Sequence, residues 1–192
     1  MEPLEDSAKT VSVESAGATA NATAMKKPPG TTYSRHRTKK SGQKAILLVE
    51  DDPNDVFFLT YAFEQAGIAE PVQTVENSQD AIDYLAGQGP YADRDRFPVP
   101  RLVLLDLKLP GCGGLEILRW IQKQPSLRTL LVIVLTSSSD PRDVDEAYRL
   151  GARSFLVKPL SVQKRREMAK AIKKYWLELN EFPSECPQMA VA

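Results

Sequence analysis

The chain alternates short apolar runs with longer stretches of helical spacing. The apolar runs lie at residues 45–49, 72–75, 102–105, 130–135 and 155–157. Most of them are too continuous for a strand with one face in water and too short for a helix. They therefore predict buried strands of a parallel sheet.

The stretches between the runs predict helices. Three stripes mark the first three: Val56, Leu59, Phe63 and Ala66; Ala81, Ile82 and Leu85; and Leu115, Leu118 and Ile121. Asp140 followed by Pro141 is typical of the start of a fourth helix, and Gly151 suits the position just after its end. A last stripe predicts the fifth helix: Met168, Ile172, Tyr175 and Leu179.

Five strand–helix units within about 135 residues predict an α/β fold, with a five-stranded parallel sheet and five helices on its two faces. We expect the flavodoxin-like doubly wound strand order 2-1-3-4-5. Ligands of such sheets bind beyond the carboxyl ends of the strands. Functional side chains are therefore expected at that edge.

Composition sets the ends of the domain. Residues 1–43 have almost no large aliphatic residue after Val13 and are rich in Ala, Thr, Ser, Gly and Pro. They predict a disordered N-terminal arm, because they cannot bury enough apolar surface to offset the entropy of ordering. The folded domain is predicted over 44–180, and 181–192 as a flexible C-terminal tail. The second half of the arm is basic, which fits either a solvated tail or weak contact with nucleic acid or an acidic partner.

Overall charge and cysteine content exclude several classes of protein. The chain has 25 basic and 25 acidic residues, so it has no general attraction to nucleic acid or membranes. Cys112 and Cys186 lack metal-ligand spacing and suit a reducing compartment. No run approaches the roughly 18 apolar residues needed to cross a bilayer, and no secretion signal is present. We expect a cytoplasmic protein with no membrane contact and no specific nucleic-acid partner.

Acids, a hydroxyl and an amine directly follow four of the predicted strands. They are Glu50, Asp51 and Asp52 after the first strand, Asp106 after the third, Thr136 after the fourth, and Lys158 with Pro159 after the fifth. Each alone has an ordinary explanation, such as a helix cap, a strand end or a solvated lysine. Their meeting at one edge of a parallel sheet predicts a functional site.

The chemistry of these groups is specific. Carboxylates held close together repel one another and favour a divalent cation with oxygen ligands, for which Mg²⁺ is the best candidate. A cation beside Asp106 would let that carboxylate attack a phosphorus centre. Lys158 and the Thr136 hydroxyl would then compensate charge on the phosphoryl oxygens.

Segments 46–52, 104–110, 134–137 and 155–159 resemble, in order, spacing and strand context, the response-regulator receiver domains of two-component systems. The resemblance covers about residues 44–180. It implies that Asp106 accepts a phosphoryl group from a histidine kinase. Asp51, Asp106 and the main-chain carbonyl of Lys108 would bind Mg²⁺, with Glu50 acting mainly through water. The residues of the switch and of phosphate contact would be Thr136, Ser137, Phe155, Lys158 and Pro159, the last following a peptide bond that is cis in this family.

Two departures refine the resemblance. The connection from Gly87 to Pro100 is longer than in most receivers, and no output domain is evident. In both features the chain resembles the small receiver proteins that are partnered with bacterial phytochromes. This resemblance implies a phytochrome-type sensor kinase as partner. Without an output domain the signal passes through another chain. Apolar residues of the last helix region are candidates for a homodimer contact: Tyr175, Trp176, Leu177, Leu179 and Phe182.

Two alternatives stay open. A phosphohydrolase of the haloacid-dehalogenase type would also form an aspartyl-phosphate, but it carries a second Asp two residues after the nucleophile, where this chain has Lys108. A receiver-like module that never takes phosphate is the other alternative. We expect a signalling protein that catalyses only its own phosphorylation and dephosphorylation.

Overall fold

The computed structural model describes residues 45–182, in which five parallel strands form one sheet in the order β2-β1-β3-β4-β5. The strands are β1 (Ala45–Val49), β2 (Val72–Val75), β3 (Pro100–Leu105), β4 (Leu131–Thr136) and β5 (Ser154–Val157). The predicted flavodoxin-like order is therefore confirmed. The predicted arm at 1–43, Lys44 and residues 183–192 of the predicted tail lie outside the described residues.

Five α-helices connect and follow the strands. They are α1 (Pro53–Ala66), α2 (Ser78–Ala86), α3 (Gly114–Lys123), α4 (Pro141–Arg149) and α5 (Val162–Ile172). Short 3₁₀ turns lie at Gly89–Tyr91 and Pro125–Leu127. The predicted start of α4 is confirmed, since the Asp140 side chain accepts a hydrogen bond from the Arg142 amide. No helix within residues 45–182 is long and apolar enough to cross a membrane.

The sheet divides the core into two layers. Alternate strand residues point to opposite faces. Leu47, Val103 and Val132 pack with α2, α3 and α4 on one face, whereas Ile46 and Leu104 pack with α1 and α5 on the other. Because helices cover both faces, the strands are apolar almost throughout.

The connection between α2 and β3 is packed rather than open. The rings of Tyr91 and Phe97 are buried and contact the Tyr84 ring, with centroids 5.3 and 6.0 Å away. Arg94 reaches back to the end of α2 and donates hydrogen bonds to the carbonyl oxygens of Tyr84 (2.8 Å) and Leu85 (2.9 Å). The longer loop thus supplies its own small core and the C-terminal cap of a helix.

The end of the last helix differs from the prediction. After α5, residues Lys173–Leu179 form a π-helical segment. Its i→i+5 hydrogen bonds turn the chain by a smaller angle per residue than an α-helix does. The buried face therefore passes through Trp176 and Leu177, which pack against the core, while Tyr175 and Leu179 are 56% and 62% exposed.

Candidate functional site

Three carboxylates meet where β1 and β3 end. These strands are parallel neighbours, with Val49 beside Leu105, so the next residues, Glu50 and Asp106, lie side by side. Both are buried, at 1% and 4% exposure, while Asp51 is exposed. One oxygen from each of Glu50, Asp51 and Asp106 lies within 4.8 Å of the others. The structure therefore brings the predicted acidic group together.

Lys158 enters this group from the end of β5. Its Nζ lies 2.5 Å from Glu50 Oε2, 2.5 Å from Asp106 Oδ2 and 3.0 Å from Asp55 Oδ2. The lysine side chain is only 7% exposed, and its three N–H donors face three carboxylates. Asp55, in the first turn of α1, was not among the predicted site residues, because acids in a first helical turn are common for reasons of helix electrostatics alone.

Burial and charge act in opposite directions on these groups. Burial raises the pKa of Glu50 to about 7, with Asp106 adding to the rise and Lys158 opposing it. Burial lowers the pKa of Lys158, but hydrogen bonds to Asp106, Glu50 and Asp55 raise it overall. The lysine is therefore charged at neutral pH, whereas Glu50 holds its proton more tightly than an exposed glutamate does.

The donor set fits a hard divalent cation. Clustered carboxylate oxygens are the ligands such ions prefer, and a cation would favour the charged form of Glu50, whose pKa is raised by burial. Lys108 lies beside this group through its main chain, since its N–H donates to Asp106 Oδ1 at 3.0 Å.

A close backbone approach fixes the loop after Asp106. A Cβ atom added to Gly114 would lie only 2.2 Å from the main-chain oxygen of Asp106 and 2.8 Å from Leu107 Cα. Only glycine permits this contact. Gly113 has a φ of +77°, which suits glycine as well. Neither requirement was predicted from the sequence, because both depend on where α3 begins relative to β3.

The end of β4 carries a hydroxyl network. Thr136 is fully buried, and its Oγ1 accepts a hydrogen bond from the Ser138 amide at 3.3 Å. Ser138 is buried too and donates its hydroxyl to Asp143 Oδ2, 2.5 Å away on α4. Ser137, which was assigned to the site, is exposed. In the described structure Ser138, rather than Ser137, connects Thr136 to α4.

Phe155 lies within β5, before Lys158, and Pro159 follows Lys158 directly. Phe155 is half-buried and packs against the core layer beneath α2, α3 and α4. The Lys158–Pro159 bond is trans, as are all the peptide bonds of the described segment, so the expectation of a cis bond is wrong for this structure. The trans form is favoured by about 0.5–1 kcal/mol even before proline, and Lys158 reaches its three carboxylates with it.

Comparison with known proteins gives a consistent result. The family described as response regulator receiver domain matches residues 46–173. The probable methanogenesis regulatory protein FilR2 of Methanothrix harundinacea is 37% identical over 138 residues, which are 72% of this chain and 86% of that protein. Response regulator Rcp1 of Synechocystis is 33% identical over 141 residues, which are 73% of this chain and 94% of the relative.

Solved structures of similar proteins share the fold. The crystal structure of the phosphorylated cyanobacterial phytochrome response regulator RcpA matches this structure with a TM-score of 0.69 at 32% identity. The match covers 74% of this chain and 99% of that one. The Mn²⁺-bound form of Rcp1 gives a TM-score of 0.67 at 33% identity, covering 73% and 99%.

Proposed function

Because the chain belongs to the response regulator receiver domain family of two-component signalling, we propose that its Asp106 accepts a phosphoryl group from a sensor histidine kinase. One observation carries this assignment. The Asp106 carboxylate ends a central strand between two other carboxylates and the buried ammonium of Lys158, 2.5 Å away. That arrangement suits the formation of an acyl phosphate.

The reaction requires little beyond position and charge. An Asp106 oxygen forms a bond to phosphorus, and the P–N bond to the kinase histidine breaks, its electron pair going to the imidazole. Mg²⁺, held by Asp51, Asp106 and the main-chain carbonyl of Lys108, with Glu50 acting mainly through water, would supply charge neutralisation. Lys158 would pair with a phosphoryl oxygen.

The signal would leave the site through Thr136 and Phe155. A phosphoryl group adds charge and strong acceptor oxygens. The Thr136 hydroxyl moves toward these oxygens and away from Ser138. Phe155 then turns into the vacated space, with Ser137 and Pro159 moving beside it. The hydroxyl chain from Thr136 through Ser138 to Asp143 supports this route, because it ties the site to α4.

The same geometry disfavours a hydrolase. An acid two residues after the nucleophile would protonate a leaving group, and Lys108 holds that position. The protein would therefore act on its own Asp106 alone, adding and losing one phosphoryl group. A receiver-like module without phosphate chemistry would have no need of a buried lysine shared by three carboxylates.

Relatives suggest the partner. Because RcpA is described as a phytochrome response regulator, we propose a phytochrome-type sensor kinase as phosphodonor, in the cytoplasm. The exposed Tyr175 and Leu179 support a homodimer through the C-terminal helical region. The structure of Rcp1 with Mn²⁺ supports the assignment of a divalent cation.

A mass measurement tests the assignment. The protein is incubated with acetyl phosphate and Mg²⁺, and intact mass is recorded. We expect a gain of one phosphoryl group, which Asp106→Asn abolishes. Asp52→Asn is the matched control: Asp52 is exposed and outside the carboxylate group, and asparagine also caps helices, so this variant keeps the gain. No gain in the parent protein would refute the proposal.

A further inference from the structure

Asp55 connects the site to two helices at once. It lies in the first turn of α1, where its Oδ2 is 3.0 Å from Lys158 Nζ and its Oδ1 is 2.7 Å from Arg165 Nη2 on α5. All three side chains are mostly buried. Burial raises the pKa of Asp55, but the bonds to Lys158 and Arg165 lower it overall. The carboxylate therefore stays charged between two cations.

Arg165 is held on three sides. Besides Asp55, it donates from Nε to the carbonyl oxygen of Pro159 at 2.8 Å, and its guanidinium lies 5.4 Å from the centre of the Phe58 ring. Planar guanidinium groups lose little freedom on binding in such a fork. Arg165 thus fixes both the Asp55 carboxylate and the backbone that follows Lys158.

Asp55 differs from the other two partners of Lys158 in one respect. Glu50 and Asp106 belong to the group that would hold the cation, and Asp55 does not. A divalent cation would compete with the lysine ammonium for the oxygens of Glu50 and Asp106 and would repel it. Asp55 would then be the carboxylate that still attracts Lys158 to the site.

On these grounds we propose that Asp55 is a positioning residue, oriented by Arg165, that keeps Lys158 at the phosphorylation site while a divalent cation is bound. The inference rests on the proposed phosphoacceptor role of Asp106. It assigns to the α1–α5 contact a part in the rate of phosphoryl uptake, in addition to its part in packing.

A pure charge effect of Asp55 and a positioning role of Asp55 predict opposite changes in the rate of phosphoryl uptake. Loss of the negative charge at Asp55 would reduce repulsion of an anionic phosphodonor and, by charge alone, speed uptake. Loss of positioning slows uptake, because Lys158 no longer meets the phosphoryl oxygens. The sign of the effect of Asp55→Asn, which has the same shape without the charge, separates the two.

Uptake from acetyl phosphate is measured at saturating Mg²⁺ and donor, so that weaker binding of either does not enter. We expect Asp55→Asn and Arg165→Met each to slow uptake by about tenfold, as is common for residues that orient a site group. Arg165→Lys keeps the charge and recovers most of the rate. Arg166→Met is the matched control, because Arg166 packs over Tyr61 and bonds Gln65 instead of Asp55, and it leaves the rate unchanged.

One further measurement shows whether Asp55 acts through Lys158, and a second shows how each variant changes the charge at the cation site. In a Lys158→Met background, Asp55→Asn should change the rate by less than about twofold, because the group being positioned is gone. Calorimetric titration should show weaker Mg²⁺ binding in Asp55→Asn and binding at least as tight as the parent's in Arg165→Met, since these variants change the local charge in opposite directions.

The outcomes are distinguishable. If the parent protein takes up no phosphoryl group, the proposed function fails. If it does, uptake by Asp55→Asn at or above the parent rate overturns the inference, as does a full tenfold effect in the Lys158→Met background. Thermal unfolding checks that the variants fold. Should Asp55→Asn not fold, equal rates in Arg165→Met, Arg165→Lys and the parent overturn the inference instead.

Discussion

At the scale of single residues, the site depends on a buried excess of negative charge. Glu50 and Asp106 lie out of water beside Asp51, and Lys158 brings one positive charge to the group. Burial out of water, more than the neighbouring charge of Asp106, favours a proton on Glu50 and raises its pKa to about 7. A divalent cation would take the place of that proton, so metal binding and proton release are coupled.

The coupling predicts a pH-dependent affinity for Mg²⁺. Below the pKa of Glu50, about 7, the side chain is neutral and attracts a cation less. Above it the affinity levels off. We expect binding about tenfold tighter near pH 8 than near pH 6, measured by calorimetry at constant ionic strength.

The control for this prediction is Glu50→Gln, which cannot titrate. It should bind more weakly and show little change over the same range. This variant keeps His36, the one histidine of the chain, so a pH effect that persists in it would come from elsewhere. Equal affinities of the parent at both pH values would contradict the prediction.

How far residue roles can be predicted depends on where each residue sits. Glu50, Asp106 and Lys158 directly follow strands, and parallel strands bring their ends to one edge, so the sequence order is enough to group them. Asp55 and Arg165 reach the site only because α1 packs against α5. Such contacts depend on helix rotation and side-chain length, which no local pattern specifies.

At the scale of elements, the α2–β3 connection is stabilised by Arg94. The last carbonyl groups of a helix lack partners within the helix, and Arg94 supplies donors to two of them, on Tyr84 and Leu85. Gly87 leaves the space for the guanidinium, because a Cβ atom there would lie 2.5 Å from Arg94 Nη2. The longer loop is thus part of the folded structure.

Arg94→Met should therefore destabilise the protein. Three hydrogen bonds from a charged donor are lost, to the carbonyl oxygens of Tyr84, Leu85 and Phe97, and we expect about 2 kcal/mol lower free energy of unfolding. Urea titration followed by circular dichroism measures it. Arg96→Met, in the same loop, is the control: Arg96 is exposed and only packs over the Phe97 ring, so its loss should cost about 0.5 kcal/mol. Equal effects would show that the cap contributes nothing.

The sequence predicts where strands and helices begin and end more accurately than it predicts which residues of a helix face the core. Each strand lies within two residues of its apolar run, because burial on both faces gives an uninterrupted signal. The predicted apolar stripe of the last helix is wrong beyond Ile172. Its spacing assumes 3.6 residues per turn, whereas the segment Lys173–Leu179 is π-helical. A change of helix type leaves no simple mark in a sequence.

At the scale of the whole molecule, the change from α-helix to π-helix after Ile172 determines which apolar side chains face outward. Trp176 and Leu177 complete the core beneath α1 and α5, and Phe182 lies under the Arg101 guanidinium, 3.8 Å from it. Tyr175 and Leu179 are left on the surface. A pair of large apolar side chains on one helical segment is a feature of association surfaces.

Association through this segment is therefore expected to need Leu179. If phosphorylation favours a homodimer, sedimentation with acetyl phosphate and Mg²⁺ will show a larger species than without them. Leu179→Asp should weaken that association by more than about tenfold, because a charge would be buried at the contact, while phosphoryl uptake stays as in the parent. Leu160→Asp provides the comparison, since Leu160 is 98% exposed but lies after β5. If Leu160→Asp abolishes association and Leu179→Asp does not, the contact lies on the β5–α5 side, and the exposed residues of the π-helical segment serve another purpose.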